Sequence, residues 1–230
     1  MSRRSIVFCA FAFLAAALFV RLGFWQLARL HAKVQRNAVI ATQQRTAPVQ
    51  FASLPSDTAG AHYRRATITG AYDYDRELVV ANRTRQGSPG VDLVTPLHVA
   101  GTDTVVLVNR GWVYSPDGTS VDRARWREQD SATVTGYVEQ FVPDAPASRL
   151  RDDGIVRRLS RREVAARIPF PFAPYYLVAT GDTAIDRPVR REMPALDAGP
   201  HRGYAIQWFA FATIAIVGAL AVIRRERRAP

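Results

Sequence analysis

The chain has 230 residues, with 31 Lys and Arg against 20 Asp and Glu, a formal net charge of +11, and 48% apolar residues. That length suits one domain with membrane segments and is short for two domains with separate cores. A lone cysteine, Cys9, excludes an intrachain disulfide, a thiol pair and a cysteine-based zinc or copper cluster.

Near the start, Ile6 to Val20 carries no charged or strongly polar residue, and the apolar character continues through Leu22, Gly23, Phe24, Trp25 and Leu27. This predicts a first transmembrane helix within residues 1–27, with Arg21 snorkelling toward a headgroup layer. Arg3, Arg4 and Ala15-Ala16-Ala17 also fit a cleaved signal peptide, although the apolar run does not stop at the alanines. Gln26, Arg29, Lys33 and Asn37 then recur at three- and four-residue steps, which predicts that the helix continues past the bilayer with one polar face. A span that follows Met1 almost directly leaves no room for an organelle presequence, which points to a bacterial cytoplasmic membrane.

Residues 28–203 read as a mainly antiparallel β domain with a little helix. Residues 46–61, with Pro48, Pro55 and Gly60, form a surface connection. Short β-rich runs follow at Arg65–Thr69, Glu77–Asn82, Val91–Val99, Thr104–Val113, Ala132–Phe141 and Tyr175–Thr180, and their close spacing favours antiparallel pairing. Val105 to Val108 is apolar on both faces and so belongs to a central strand. Ser160 followed by Glu163 has the spacing of a capping box for a short helix, and a second helix is expected around Val121–Gln129. Residues 181–200, rich in proline, make an extended return to the membrane.

Tyr204 to Ile223 gives twenty residues without a charge, enough for a second span over 204–223, and residues 224–230 form a basic tail with four arginines. Two spans place both termini on one side. The arginine tail assigns that side to the cytoplasm and the domain to the extracytoplasmic face. Between Ala28 and Gly203 there are 24 basic and 19 acidic residues, a net of +5, which suits membrane lipid or an acidic partner. Nucleic acid is disfavoured, because the chain has no recognition-helix motif, zinc spacing or aromatic-rich binding strand.

No nucleophile elbow, metalloprotease helix, phosphate loop or dinucleotide fingerprint is present, so no catalytic residue stands out. His201 lies three residues before the second span. If the helix starts there, His201, Tyr204, Ala205 and Trp208 share one face, which puts an imidazole above an aromatic patch at the membrane surface. Such an arrangement suits a flat amphipathic ligand such as haem, and equally an ordinary interfacial histidine beside belt aromatics. Trp25 and Gln26 fall near the same surface, and Gln26 and Gln207 suit either a ligand or helix packing. Arg110 and Trp112 suit carboxylate pairing and stacking, or a structural role with a bulge at Gly111.

Three blocks carry a resemblance. They are Leu22-Gly23-Phe24-Trp25-Gln26-Leu27-Ala28-Arg29-Leu30 with Lys33; Gly87 to Leu97 leading into Val106-Leu107-Val108-Asn109-Arg110-Gly111-Trp112-Val113; and His201 with Tyr204-Ala205-Ile206-Gln207-Trp208-Phe209. In this order and with this topology they resemble the family of Surfeit locus protein one, membrane factors that assist assembly of cytochrome c oxidase. About half the chain takes part. Residues 142–190 match no family pattern, and Gly199-Pro200 depart from it just before the histidine. The resemblance implies a chaperone rather than an enzyme, acting in maturation of the haem a site of the oxidase catalytic subunit alongside other assembly factors. His201 is the implied iron ligand, with Trp25, Tyr204 and Trp208 as pocket walls and Arg110 or Arg202 near a propionate. A cofactor-free scaffold for oxidase subunits is the other role such a protein could fill.

Overall fold

The computed structural model describes residues 2–144, 153–181 and 184–228. Residues 145–152 and 182–183 lie outside the described residues, as do Ala229 and Pro230 of the basic tail. The chain packs as two units, Met1–Ala41 with Ala195–Pro230, and Thr42–Pro194.

The first unit is an antiparallel helix pair, α1 (Arg3–Arg45) and α4 (His201–Arg228). At ~1.5 Å per residue α1 is roughly twice the ~30 Å hydrocarbon thickness, so it runs well beyond one face of a bilayer, as its polar periodicity predicts. Small residues let the two backbones approach. Cys9, Ala16 and Gly23 recur every seven residues on α1, as do Ala205, Ala212 and Ala219 on α4, and all six are buried. The Cys9 thiol reaches the Ala219 carbonyl at 3.7 Å, and the Phe209 ring fills the space where a side chain on Gly23 would lie. Without a hydrophobic drive between helices in lipid, such close packing is what holds a pair together. Phe11, Leu14, Ile214 and Val217 point outward, between 59 and 72% exposed. A solvated pair would not leave this surface bare, and the protein is accordingly a two-span membrane protein.

The second unit is an eight-stranded mixed sheet. Its strands are β1 (Val49–Gln50), β2 (Arg65–Tyr72), β3 (Leu78–Arg85), β4 (Ser88–Val99), β5 (Val105–Tyr114), β6 (Ser131–Gln140), β7 (Ile155–Val156) and β8 (Tyr175–Ala179), in the order β1-β2-β6-β8-β5-β4-β3-β7. All six predicted strands are present. The long β4 pairs with β3 along its first half and with β2 at Leu97 to Val99, so β2, β6, β8, β5 and β4 close into a ring. Most pairings are antiparallel, but β1–β2, β3–β7 and β5–β8 are parallel. The β5–β8 pair is reached through a long crossover that contains β6, β7 and a short helix, the connection a parallel pair requires.

β2 shows how the ring fills. Ala66, Ile68 and Tyr72 point inward, while Thr67 and Thr69 face out and hydrogen-bond across to Thr135 and Thr133 at 3.0 and 2.9 Å. Val106 and Val108 join Ile68, Leu97, Val138 and Leu177 inside the ring. Val105 and Leu107, on the other face of β5, pack with Leu78, Val80, Val156, Val164 and Ile168. The central strand is therefore apolar on both faces because both faces are covered. Val164 belongs to α3 (Arg161–Ala165), which is capped by the Ser160 hydroxyl accepting from the Glu163 N–H as its spacing predicts. Another short helix, α2 (Thr58–Ala61), lies inside the predicted surface connection and is capped by Asp57.

The helix expected around Val121–Gln129 is absent. Only a 3-10 turn at Ala124–Trp126 forms there. Tertiary partners take the backbone groups that a helix would need: the Trp126 carbonyl accepts from Arg110, and the Glu128 N–H donates to the Tyr74 hydroxyl.

Candidate functional site

The candidate site lies in the helical unit, where the chain turns into α4. Asn37 donates to the Asp197 carbonyl at 3.0 Å, and the Asp197 carboxylate accepts from the Gly199 N–H at 2.8 Å. This closes a turn with Gly199 at φ +73°, a backbone conformation that favours glycine. His201 is the first residue of α4, and its Nδ1 lies 2.9 Å from Oε1 of Gln26 on α1. Gln26, Lys33 and Asn37, spaced by seven and four residues, thus present one face of α1 to the segment leading into α4. Lys33, expected on this polar face, is the residue whose place beside His201 the sequence did not announce. A Cβ on Gly199 would stand 3.2 Å from Lys33 Nζ and 3.6 Å from His201 Nε2, so both groups border one glycine. Its signal was the seven-residue step from Gln26 and its standing as the only lysine in the chain.

The expected pocket residues divide. Trp208 is half-buried and stacks on Phe19, with centroids 5.6 Å apart. Ala205 is buried against α1, whereas Tyr204, expected on the same face, turns outward and is 47% exposed. Gln207 is exposed, and Gln26 bonds to His201 instead of to it. Trp25 is 49% exposed, with the Arg29 guanidinium 5.2 Å above its ring.

Of the two readings of Arg110, ligand pairing or a structural role beside a bulge, its own surroundings match the structural one. It sits in the β unit with no exposed surface. Leu93 pairs with Gly111 and Val94 with Asn109, so Arg110 is the extra residue of a β-bulge and its side chain is turned into the protein. Its Nε donates to the Thr95 hydroxyl, Nη1 to the Trp126 carbonyl and to Glu128, and Nη2 to the buried Glu77. Burial pulls its pKa down, but Glu77, Tyr74 and Glu128 together outweigh this and hold it above the ordinary value. A guanidinium with every nitrogen engaged inside the fold has nothing left for an external anion. Trp112 is likewise structural: its indole N–H donates to the Arg83 carbonyl.

A two-span membrane protein with a closed β unit between its spans, and a histidine hydrogen-bonded across them, is the class that the fold and the site define. The chain belongs to the SURF1 family, whose model matches residues 13–213. It is 30% identical to a SURF1-like protein of Mycobacterium tuberculosis over 235 residues, covering 97% of this chain and 85% of that protein. A SURF1-like protein of Drosophila melanogaster is 28% identical over 224 residues, 87% of this chain and 72% of that one. Surfeit locus protein 1 of Takifugu rubripes is 25% identical over 160 residues, 60% of this chain and 67% of that protein.

Proposed function

We propose that this chain is an assembly factor for a haem–copper cytochrome c oxidase, a chaperone that holds haem a on His201 and delivers it to the catalytic subunit. Family membership supports the assembly role. The observation that carries the haem reading is the 2.9 Å contact between His201 Nδ1 and Gln26 Oε1. With the amide oxygen as acceptor, the proton sits on Nδ1 and Nε2 keeps the lone pair that an iron ligand needs. Among the described residues Nε2 has no hydrogen-bond partner. The residues therefore fit the group: His201 would hold the iron through Nε2, with Gln26 keeping the imidazole in the tautomer that can donate a lone pair. The exposed rings of Trp25 and Tyr204 offer flat apolar surface, and the exposed Arg202 offers a cation for a propionate.

In this reading both helix ends, with Arg3, Arg4 and the arginines from Arg224 to Arg228, lie in the bacterial cytoplasm, and the β unit is extracytoplasmic. A periplasm-dependent reporter fused after Gly101 should then be active, and one fused after Pro230 inactive. Purified from cells that make haem a, the wild type should show a haem spectrum and His201→Ala should not, with membrane insertion unchanged. Full haem occupancy in His201→Ala would remove the ligand assignment. A wild type that carries no haem yet restores oxidase assembly would favour the cofactor-free scaffold.

A further inference from the structure

Lys33 stands out among the 31 cationic residues for its chemistry and its surroundings. It is half-buried on the polar face of α1, and no acidic or hydrogen-bonding partner meets it among the described residues. The nearest carboxylate in the turn, Asp197, is engaged by the Gly199 N–H. Of the neighbouring arginines on α1, Arg29 lies over the Trp25 ring and Arg36 is exposed. Gly199 brings the Lys33 ammonium and His201 Nε2 to the same place, 3.2 and 3.6 Å from the position its missing Cβ would occupy. An ammonium without a counter-ion can form a charge-assisted hydrogen bond with an incoming anion. It also lies near the nitrogen of His201 that the Gln26 contact leaves without a partner among the described residues.

From this juxtaposition we propose that Lys33 is the counter-ion for a carboxylate on the same ligand that His201 holds. The inference rests on the haem reading of His201 and extends it. The site takes an iron porphyrin in its free-acid form, with one propionate on the Lys33 ammonium. A side chain on Gly199 would crowd that ammonium, which would have to give by a few tenths of an ångström. Lys33 is then a positioning and specificity residue, and His201 the ligand.

The test uses the full chain in detergent, titrated with ferric protohaem and with its dimethyl ester, followed by the Soret band. Wild type should bind the free acid about tenfold more tightly than the ester, the size expected of one charge-assisted contact. Lys33→Gln should bring free-acid affinity down to that of the ester and leave ester affinity and the axial-ligand spectrum unchanged, whereas Lys33→Arg should restore much of the preference. Equal affinity of wild type and Lys33→Gln for the free acid, with the signal still lost in His201→Ala, would overturn the role of Lys33 alone. Parallel loss of free acid and ester in Lys33→Gln would overturn it as well, by showing a packing defect. No Soret change with wild type would remove the haem reading together with this one.

Discussion

The carbonyl oxygen of Val189 occupies the space that a side chain on Gly111 would need: a Cβ there would lie only 2.4 Å from it. Gly111 follows the bulged Arg110 at φ +130°, and Trp112 exchanges two backbone hydrogen bonds with Val189, of 2.9 and 2.8 Å. The next two residues fasten the same segment. Arg190 donates to the Arg110 carbonyl and to Glu128, and Arg191 donates to both oxygens of the buried Asp92. The bulge therefore docks the chain segment that follows β8.

Gly111→Ala should destabilise the protein by about 3 kcal/mol, since a left-handed φ and a backbone clash act together. Thermal unfolding in detergent should show a melting temperature lower by about 10 °C. A change within 2 °C would mean that the Val189 segment gives way without cost.

Arg110→Met should be at least as damaging, by about 3–5 kcal/mol, because it leaves the Glu77 carboxylate buried without its cation. The expected signs are low steady-state abundance and early melting, with unchanged haem affinity in the protein that survives. Adding Glu77→Met should recover part of the loss. A selective loss of haem binding at wild-type stability would return Arg110 to the ligand site.

Gln26→Leu removes the acceptor that orients His201 while leaving the imidazole in place. Haem affinity should fall by about tenfold or more, the usual effect of deleting the hydrogen-bond partner of a ligating histidine. Gln26→Glu, which still presents an acceptor oxygen, should bind haem well. Equal affinities for wild type and Gln26→Leu in a Soret titration would show that the 2.9 Å contact only packs the helices.

Alkaline pH should loosen the β unit through its buried tyrosines. Burial, reinforced by the nearby Glu139, pushes the Tyr137 hydroxyl up to about 12, and burial raises Tyr72 and Tyr176 as well. The unfolded chain loses these protons near pH 10, before the folded one does, so between roughly pH 10 and 12 it binds fewer protons and stability falls with rising pH. The contribution is fully present below pH 10. Tyr137→Phe should flatten the decline in denaturant melts taken across that window, and an unchanged slope would place the titration elsewhere.

Local pattern carried much of this architecture. Uncharged runs of apolar residues predicted the spans, because lipid forces each helix to satisfy its own backbone. Alternating and doubly apolar runs predicted six strands, and the Ser160–Glu163 spacing predicted a cap, because each of these signals lies within a few residues. Tertiary structure alone decided the return of β4 onto β2, the parallel β5–β8 pair and the loss of the helix near Trp126, all of which depend on partners distant in sequence. The same holds for side chains of identical type. A bulge at Gly111 was one of two readings of the sequence, but nothing near Arg110 showed that it would turn inward onto Glu77, and nothing near Lys33 showed that an antiparallel helix pair would bring it beside His201. Composition sets which residues can carry charge at a membrane, and only the packing of distant segments decides which of those charges are already spent inside the fold.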